Sequence, residues 1–124
     1  MAVAASAGAG AAEPPPAEYF SGLYIMIGRD GAVPPGLVNE EVVLRPEGAG
    51  LAVATCDGAG GALTFDSFGD LDNLLRGSIG HRAVWCMAHN NGDNYPLITC
   101  RGEGAERLTL WPQADRFGAA PDCG

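Results

Sequence analysis

Hydrophobic positions along this chain come in short alternating runs, each broken within a few residues by glycine, proline, asparagine or aspartate. Leu51, Val53 and Thr55 alternate with Ala52, Ala54 and Cys56, the period of a strand with one face turned inward. The same reading predicts strands over Tyr19–Ile27, Glu41–Arg45, Ala62–Phe65, Ala83–His89, Tyr95–Arg101 and Arg107–Trp111, closed by Gly28, by Pro46 with Gly48, by the Asp57–Gly61 glycine run and by Pro112. One stretch departs from period two. Phe68, Leu71, Leu74 and Leu75 follow Asp66 and Ser67 at helical spacing, which predicts a short helical turn over 68–75 ended by Gly77 and Gly80. About six to eight short strands with hardly any helix give an all-β fold: a small antiparallel meander closing into a compact barrel, with a sandwich as the alternative.

Asn90, Asn91, Gly92, Asp93 and Asn94 form a turn cluster, and Cys86 and Cys100 lie equidistant from Asp93. If the flanking runs are arms of one hairpin, the two cysteines face each other across it, where a disulfide is geometrically possible. Four cysteines allow three pairings; the hairpin favours Cys86 with Cys100 and leaves Cys56 for Cys123. In that hairpin one face carries Val84, Cys86, Ala88, Ile98 and Cys100, the other Trp85, Met87, Leu97 and Thr99. A strand pair apolar on both sides is either covered twice or displays a hydrophobic surface. The expectation is coverage, by the 68–75 segment or the C-terminal stretch, with Trp85 and Trp111 as core or plug residues.

Residues 1–18 hold Ala, Gly and the run Pro14, Pro15, Pro16, offer almost no apolar surface to bury, and read as a flexible tail or signal-peptide remnant. Residues 19–124 then form a single β domain, large enough for one modest core. An even cysteine count, with neither a Cys-x-x-Cys pair nor histidines at ligand spacing, argues for disulfides over zinc or thiol redox chemistry and for a secreted or periplasmic setting.

Seven basic residues, all arginine, against fifteen acidic ones give a net charge of -8. Nucleic acid and anionic membrane are therefore not expected partners, and no run is long and apolar enough for a membrane-spanning helix. No catalytic constellation emerges: Ser21, Ser67 and Ser78 lack nucleophile contexts, and His81 and His89 stand without a recognisable acid. Asp66, Asp70 and Asp72 lack the ligand order of a calcium loop. The glycine runs follow no phosphate-binding spacing. No cofactor or metal is expected.

Gly22-Leu23-Tyr24, opening the first strand, resembles the Gly-x-Trp entry of lipocalin-type barrels, with Tyr24 where that family has Trp. The resemblance implies an up-and-down barrel that binds rather than reacts. The function expected is that of an exported, non-enzymatic binding module, most concretely a small inhibitor or accessory factor presenting rigid loops to a protein partner. Its contact residues are expected at the hairpin tip: His89, Asn90, Asn91, Asp93, Asn94 and Tyr95, where Tyr with Asn supplies amphipathic area and adaptable hydrogen bonds. The alternatives are a small-ligand carrier with an apolar barrel cavity and a small hydrolase using His81 or His89.

Overall fold

The computed structural model describes residues 17–31, 34, 36–68, 73–90, 96–102, 106–113, 120, 121 and 123. A short 3-10 helix, Ala17–Phe20, leads into eight strands: β1 (Gly22–Arg29), β2 (Leu37–Glu47), β3 (Gly50–Ala54), β4 (Gly61–Phe68), β5 (Asn73–Ile79), β6 (Arg82–Asn90), β7 (Pro96–Gly102) and β8 (Arg107–Gln113). Each strand pairs antiparallel with the next, and β8 returns to β1 from Leu23↔Gln113 to Arg29↔Arg107. The result is a closed up-and-down barrel, which removes the unpaired sheet edges of a sandwich. Two of the turns are two-residue loops, between Glu47↔Gly50 and between Ile79↔Arg82. Gly48 and Gly80 open them at φ of +58° and +62°, the left-handed region that tight hairpins require and that glycine reaches without steric cost.

Four expectations about local structure are corrected. The helical turn over 68–75 is absent: Phe68 ends β4, and Leu74 and Leu75 belong to β5, where Leu75 points inward and pairs with Phe65 and Cys86. Barrel closure demanded a strand there, and tertiary pairing overrode the local spacing. Gly28 and Gly77 do not end elements but lie inside β1 and β5, on the inward parity; a Cβ at either would collide with a carbonyl oxygen of the neighbouring strand, Arg107 or Ala62. Pro46 and Pro112 sit inside β2 and β8, each next to the strand's last residue, where a missing N–H forfeits little of the ladder. β2 is also far longer than Glu41–Arg45, because Leu37 to Leu44 pair with β1 while Val43 to Glu47 pair with β3, so the two ladders overlap only at Val43 and Leu44.

Inward positions fill the barrel. Tyr24, Met26, Val42, Leu44, Leu51, Leu63, Leu75, Ile79, Ile98, Leu108 and Leu110 are all at most 1% exposed. With Val38, Val53, Val84, Cys86, Ala88 and Cys100 they form one buried cluster packed across the barrel. Phe20, carried by the 3-10 helix, is buried against this core, with Ala17 and Tyr19 packed beside it. The Tyr24 hydroxyl donates to the Phe20 carbonyl at 2.8 Å and ties that helix to the barrel wall. Burial, and secondarily Tyr19, pushes the Tyr24 phenol above its ordinary range.

Both disulfides join the expected partners. Cys86 and Cys100 are register partners in the β6–β7 hairpin and are bonded inside the barrel, each 2% exposed. Cys56 is bonded to Cys123, 67 positions along the chain. That bridge brings the end of the chain from β8 back to the region beyond β3. The register row Gln113, Leu23, Val43, Ala54 runs between its two approaches. Leu23 and Val43 on this row have outward parity yet are fully buried, and they lie outside the interior cluster. Two disulfides are compatible with an oxidising, extracellular compartment. Among the described residues no helix is long and apolar enough to cross a membrane.

Candidate binding face

The strand register sets the outward side chains of five neighbouring strands, β6, β7, β8, β1 and β2, in three parallel rows. The first runs His89, Leu97, Trp111, Ile25, Glu41; the second Met87, Thr99, Thr109, Ile27, Asn39; the third Trp85, Arg101, Arg107, Arg29, Leu37. In the third row the Leu97 and Ile98 alternation of β7 and the Thr109 and Leu110 alternation of β8 carry through, so Arg101 and Arg107 face outward beside buried Cys100 and Leu108.

This sector gathers every exposed large apolar side chain found among the described residues: Ile27, Leu37, Trp85, Met87 and Trp111. Leu37 is 85% exposed, Trp85 48% and Trp111 46%. None lies on β3, β4 or β5. A shallow depression of about 870 Å³ lies over the β6, β7 and β8 part of the sector and reaches Leu74 of β5, lined by Trp85, Met87 and His89 on one side and Arg107 and Thr109 on the other, with Thr99 and Arg101 between. The expected covering of the hairpin's second face is therefore corrected: Trp85 and Met87 are exposed, and neither tryptophan is a core or plug residue. The interior has no room for them. Medium-sized aliphatic side chains from all eight strands already fill a barrel of this width.

The expected contact residues fall at one end of this face. His89 is exposed near the end of β6, its Nε2 at 3.4 Å from Thr99 Oγ1, so it continues the Trp85, Met87 edge. Asn90 closes β6 opposite Pro96. Asn91, Asp93, Asn94 and Tyr95 lie outside the described residues, as do Asp70, Asp72 and residues 1–16. His81 stands in the β5–β6 turn, at the other end of β6, so strand geometry puts the two histidines roughly 26 Å apart.

Asp57 lies within electrostatic reach of His81, and it is otherwise engaged. Its Oδ1 accepts the Thr55 hydroxyl at 2.6 Å and the Ala59 N–H at 2.9 Å, while the Gly60 N–H donates to Thr55 Oγ1 at 3.0 Å. The Thr55 hydrogen bond, then that from Ala59, with smaller help from His81 and Arg82, holds the Asp57 carboxyl below the usual range. Asp66 pairs with Arg76 at 3.3 Å, and among the described residues no group of three His, Cys, Asp or Glu is placed to hold a metal ion.

The arginines and the β1, β2 and β8 apolar residues of the face were not among the expected site residues. Their signal was present in the alternations Ile25, Ile27, Arg29; Leu97, Thr99, Arg101; and Arg107, Thr109, Trp111, but only the pairing of β8 with β1 joins them. No family model, no curated protein and no solved structure matches this chain. The up-and-down barrel implied by Gly22-Leu23-Tyr24 is the observed architecture; that resemblance assigns no family.

Proposed function

We propose that this chain is an exported, non-enzymatic module that binds a partner protein through the outer face of β6, β7, β8 and β1, with the loop after β6 extending the contact. The observation that carries this reading is the gathering of all five exposed large apolar side chains into one sector of the barrel. Such a patch on an otherwise acidic domain is costly to keep wet and is the usual mark of an interaction surface. Trp and Arg are also the side chains that dominate binding energy at protein interfaces. Closure of the barrel and two disulfides hold the face rigid, so little ordering entropy is lost on association. The filled interior counts against the carrier alternative, which needs an apolar cavity. The hydrolase alternative needs a histidine beside an acid in a cleft, and what lies beside His89 is Thr99.

The test is affinity capture from the native extracellular or periplasmic fraction with three baits: the native chain, W85S/M87S, and a loop variant carrying Asp93→Ala and Tyr95→Ala. A partner retained by the native bait and lost by W85S/M87S supports the reading. Loss by the loop variant as well extends the contact to the tip. A partner held equally by all three baits overturns it.

A further inference from the structure

Three of the seven basic residues occupy one register row. Arg101 pairs with Arg107 across β7 and β8, and Arg107 pairs with Arg29 across β8 and β1. Like charges placed directly opposite on neighbouring strands repel and destabilise the free sheet. The chain has fifteen acidic residues, yet among the described residues no ion pair neutralises these three arginines. The salt bridge found among the described residues is that of Arg76 with Asp66, on β4 and β5. The acids next in sequence are turned into their own turns: Asp30 accepts the Gly36 N–H at 2.8 Å, and the Glu106 carboxyl lies over Gly102. Three adjacent guanidinium groups with no ion-pair partner among the described residues, at the surface of a chain of net charge -8, form a local anion site against the general field.

Size as well as charge shapes this face. In the middle row the large Met87 and Ile27 flank the small Thr99 and Thr109. At the spacing of strands in a sheet these walls stand about 14 Å apart, room for one extended polypeptide with its side chains. Such a segment lying along β7 and β8 would have apolar contacts beside Leu97 and Trp111 at one end, and three guanidinium groups at the other.

We propose, resting on the reading that this sector is the binding face, that its occupant is an extended protein segment with apolar residues followed by carboxylates, which completes the Arg29, Arg107, Arg101 row. An anionic bilayer is disfavoured as the occupant because the remainder of the molecule would repel it. Arginine suits the carboxylate role, since its planar fork takes both oxygens of the group.

The experiment uses the disulfide-bonded chain and follows Trp85 and Trp111 emission, which shifts to the blue when either indole is covered. The probes are a peptide in which glutamate alternates with leucine, the same peptide with lysine in place of glutamate, and phosphatidylglycerol vesicles. Saturable binding of the glutamate peptide is expected, weakened by salt. Each arginine replaced should weaken it about two- to fivefold, hence roughly tenfold for R101Q/R107Q, with R45Q, outside the row, unchanged. Equal binding of the lysine peptide, no binding of the glutamate peptide, or the same arginine-dependent shift with vesicles overturns the inference. If W85S/M87S loses the captured partner while R101Q/R107Q keeps it, the acidic occupant is refuted and the binding module stands.

Discussion

Replacing Cys86 and Cys100 together by alanine should cost this barrel more than replacing Cys56 and Cys123, although loop closure alone ranks them the other way. The hairpin bridge spans 14 positions, and the chain-entropy relation gives about 3 kcal/mol for a loop of that length. The outer bridge spans 67 positions, for which the same relation gives about 4.4 kcal/mol. Burial reverses the order. Both hairpin sulfurs lie in the core, and deleting two buried atoms of that size removes packing worth on the order of 1 kcal/mol each, so the total approaches about 5 kcal/mol. Cys123 is exposed, and freeing the chain after Gln113 leaves all eight strands paired, so about 4.4 kcal/mol is a ceiling for the outer bridge. Urea unfolding followed by far-ultraviolet circular dichroism measures both; tryptophan emission is a poor probe, since both indoles are already half exposed. A C86V/C100V variant restores the missing volume and should recover the packing share, roughly 2 kcal/mol. A smaller loss for C86A/C100A than for C56A/C123A, or no recovery with valine, would refute the reasoning.

Tyr24→Phe leaves the Phe20 carbonyl without its donor and should cost about 1 to 3 kcal/mol by urea unfolding. Because the folded state raises the Tyr24 pKa, stability should hold up to pH about 10 and fall as pH rises further, where the unfolded phenol ionises and the buried one does not; Y24F should flatten that fall. Asp57 has the opposite sign: its folded carboxyl is held low, so the contribution of the Thr55–Gly60 loop is present above pH about 4 and lost as pH drops below. The Gly60 amide proton shift, followed against pH, should report a midpoint under the ordinary aspartate value, and an ordinary midpoint would exclude the Thr55 hydrogen bond as its cause. Arg107→Thr relieves two opposed like-charge pairs and should stabilise the free barrel by roughly 0.5 kcal/mol at low salt, less at high salt. A destabilised variant would show that the row is not under repulsion.

Much of the fold was readable because the hairpin with Cys86 and Cys100 carries its own register: turn cluster, alternation and sulfur symmetry all fix the same pairing. The second bridge followed by subtraction. The strand β5 was hidden because Leu71, Leu74 and Leu75 satisfy a helical period over too few residues for period alone to decide. Gly28 and Gly77 misled for a related reason. A glycine in a sequence reads as a break, whereas here both sit where neighbouring backbones approach too closely for a Cβ, and only closure of the barrel creates that approach.

The candidate face was harder to see, and the cause is geometric. Alternation tells which residues share a side of one strand, so the Trp85 and Met87 side was correctly separated from the Val84, Cys86 and Ala88 side. It does not tell which side becomes the inside. Both sides of β6 are apolar, and the deciding quantity is volume: an eight-stranded barrel accepts one layer of side chains per strand, and the buried leucines, isoleucines and valines take it. Two indoles at alternate parity had to go outside. Arg29, Arg101 and Arg107 lie at strand ends, where a lone charge ordinarily marks the approach to a turn. They become a row only when β8 closes on β1 and sets Arg107 opposite Arg29, which comes from the other end of the barrel's strand order. A surface built by barrel closure belongs to no local segment, so its charges and its apolar residues acquire meaning together, through a register that only the folded chain supplies.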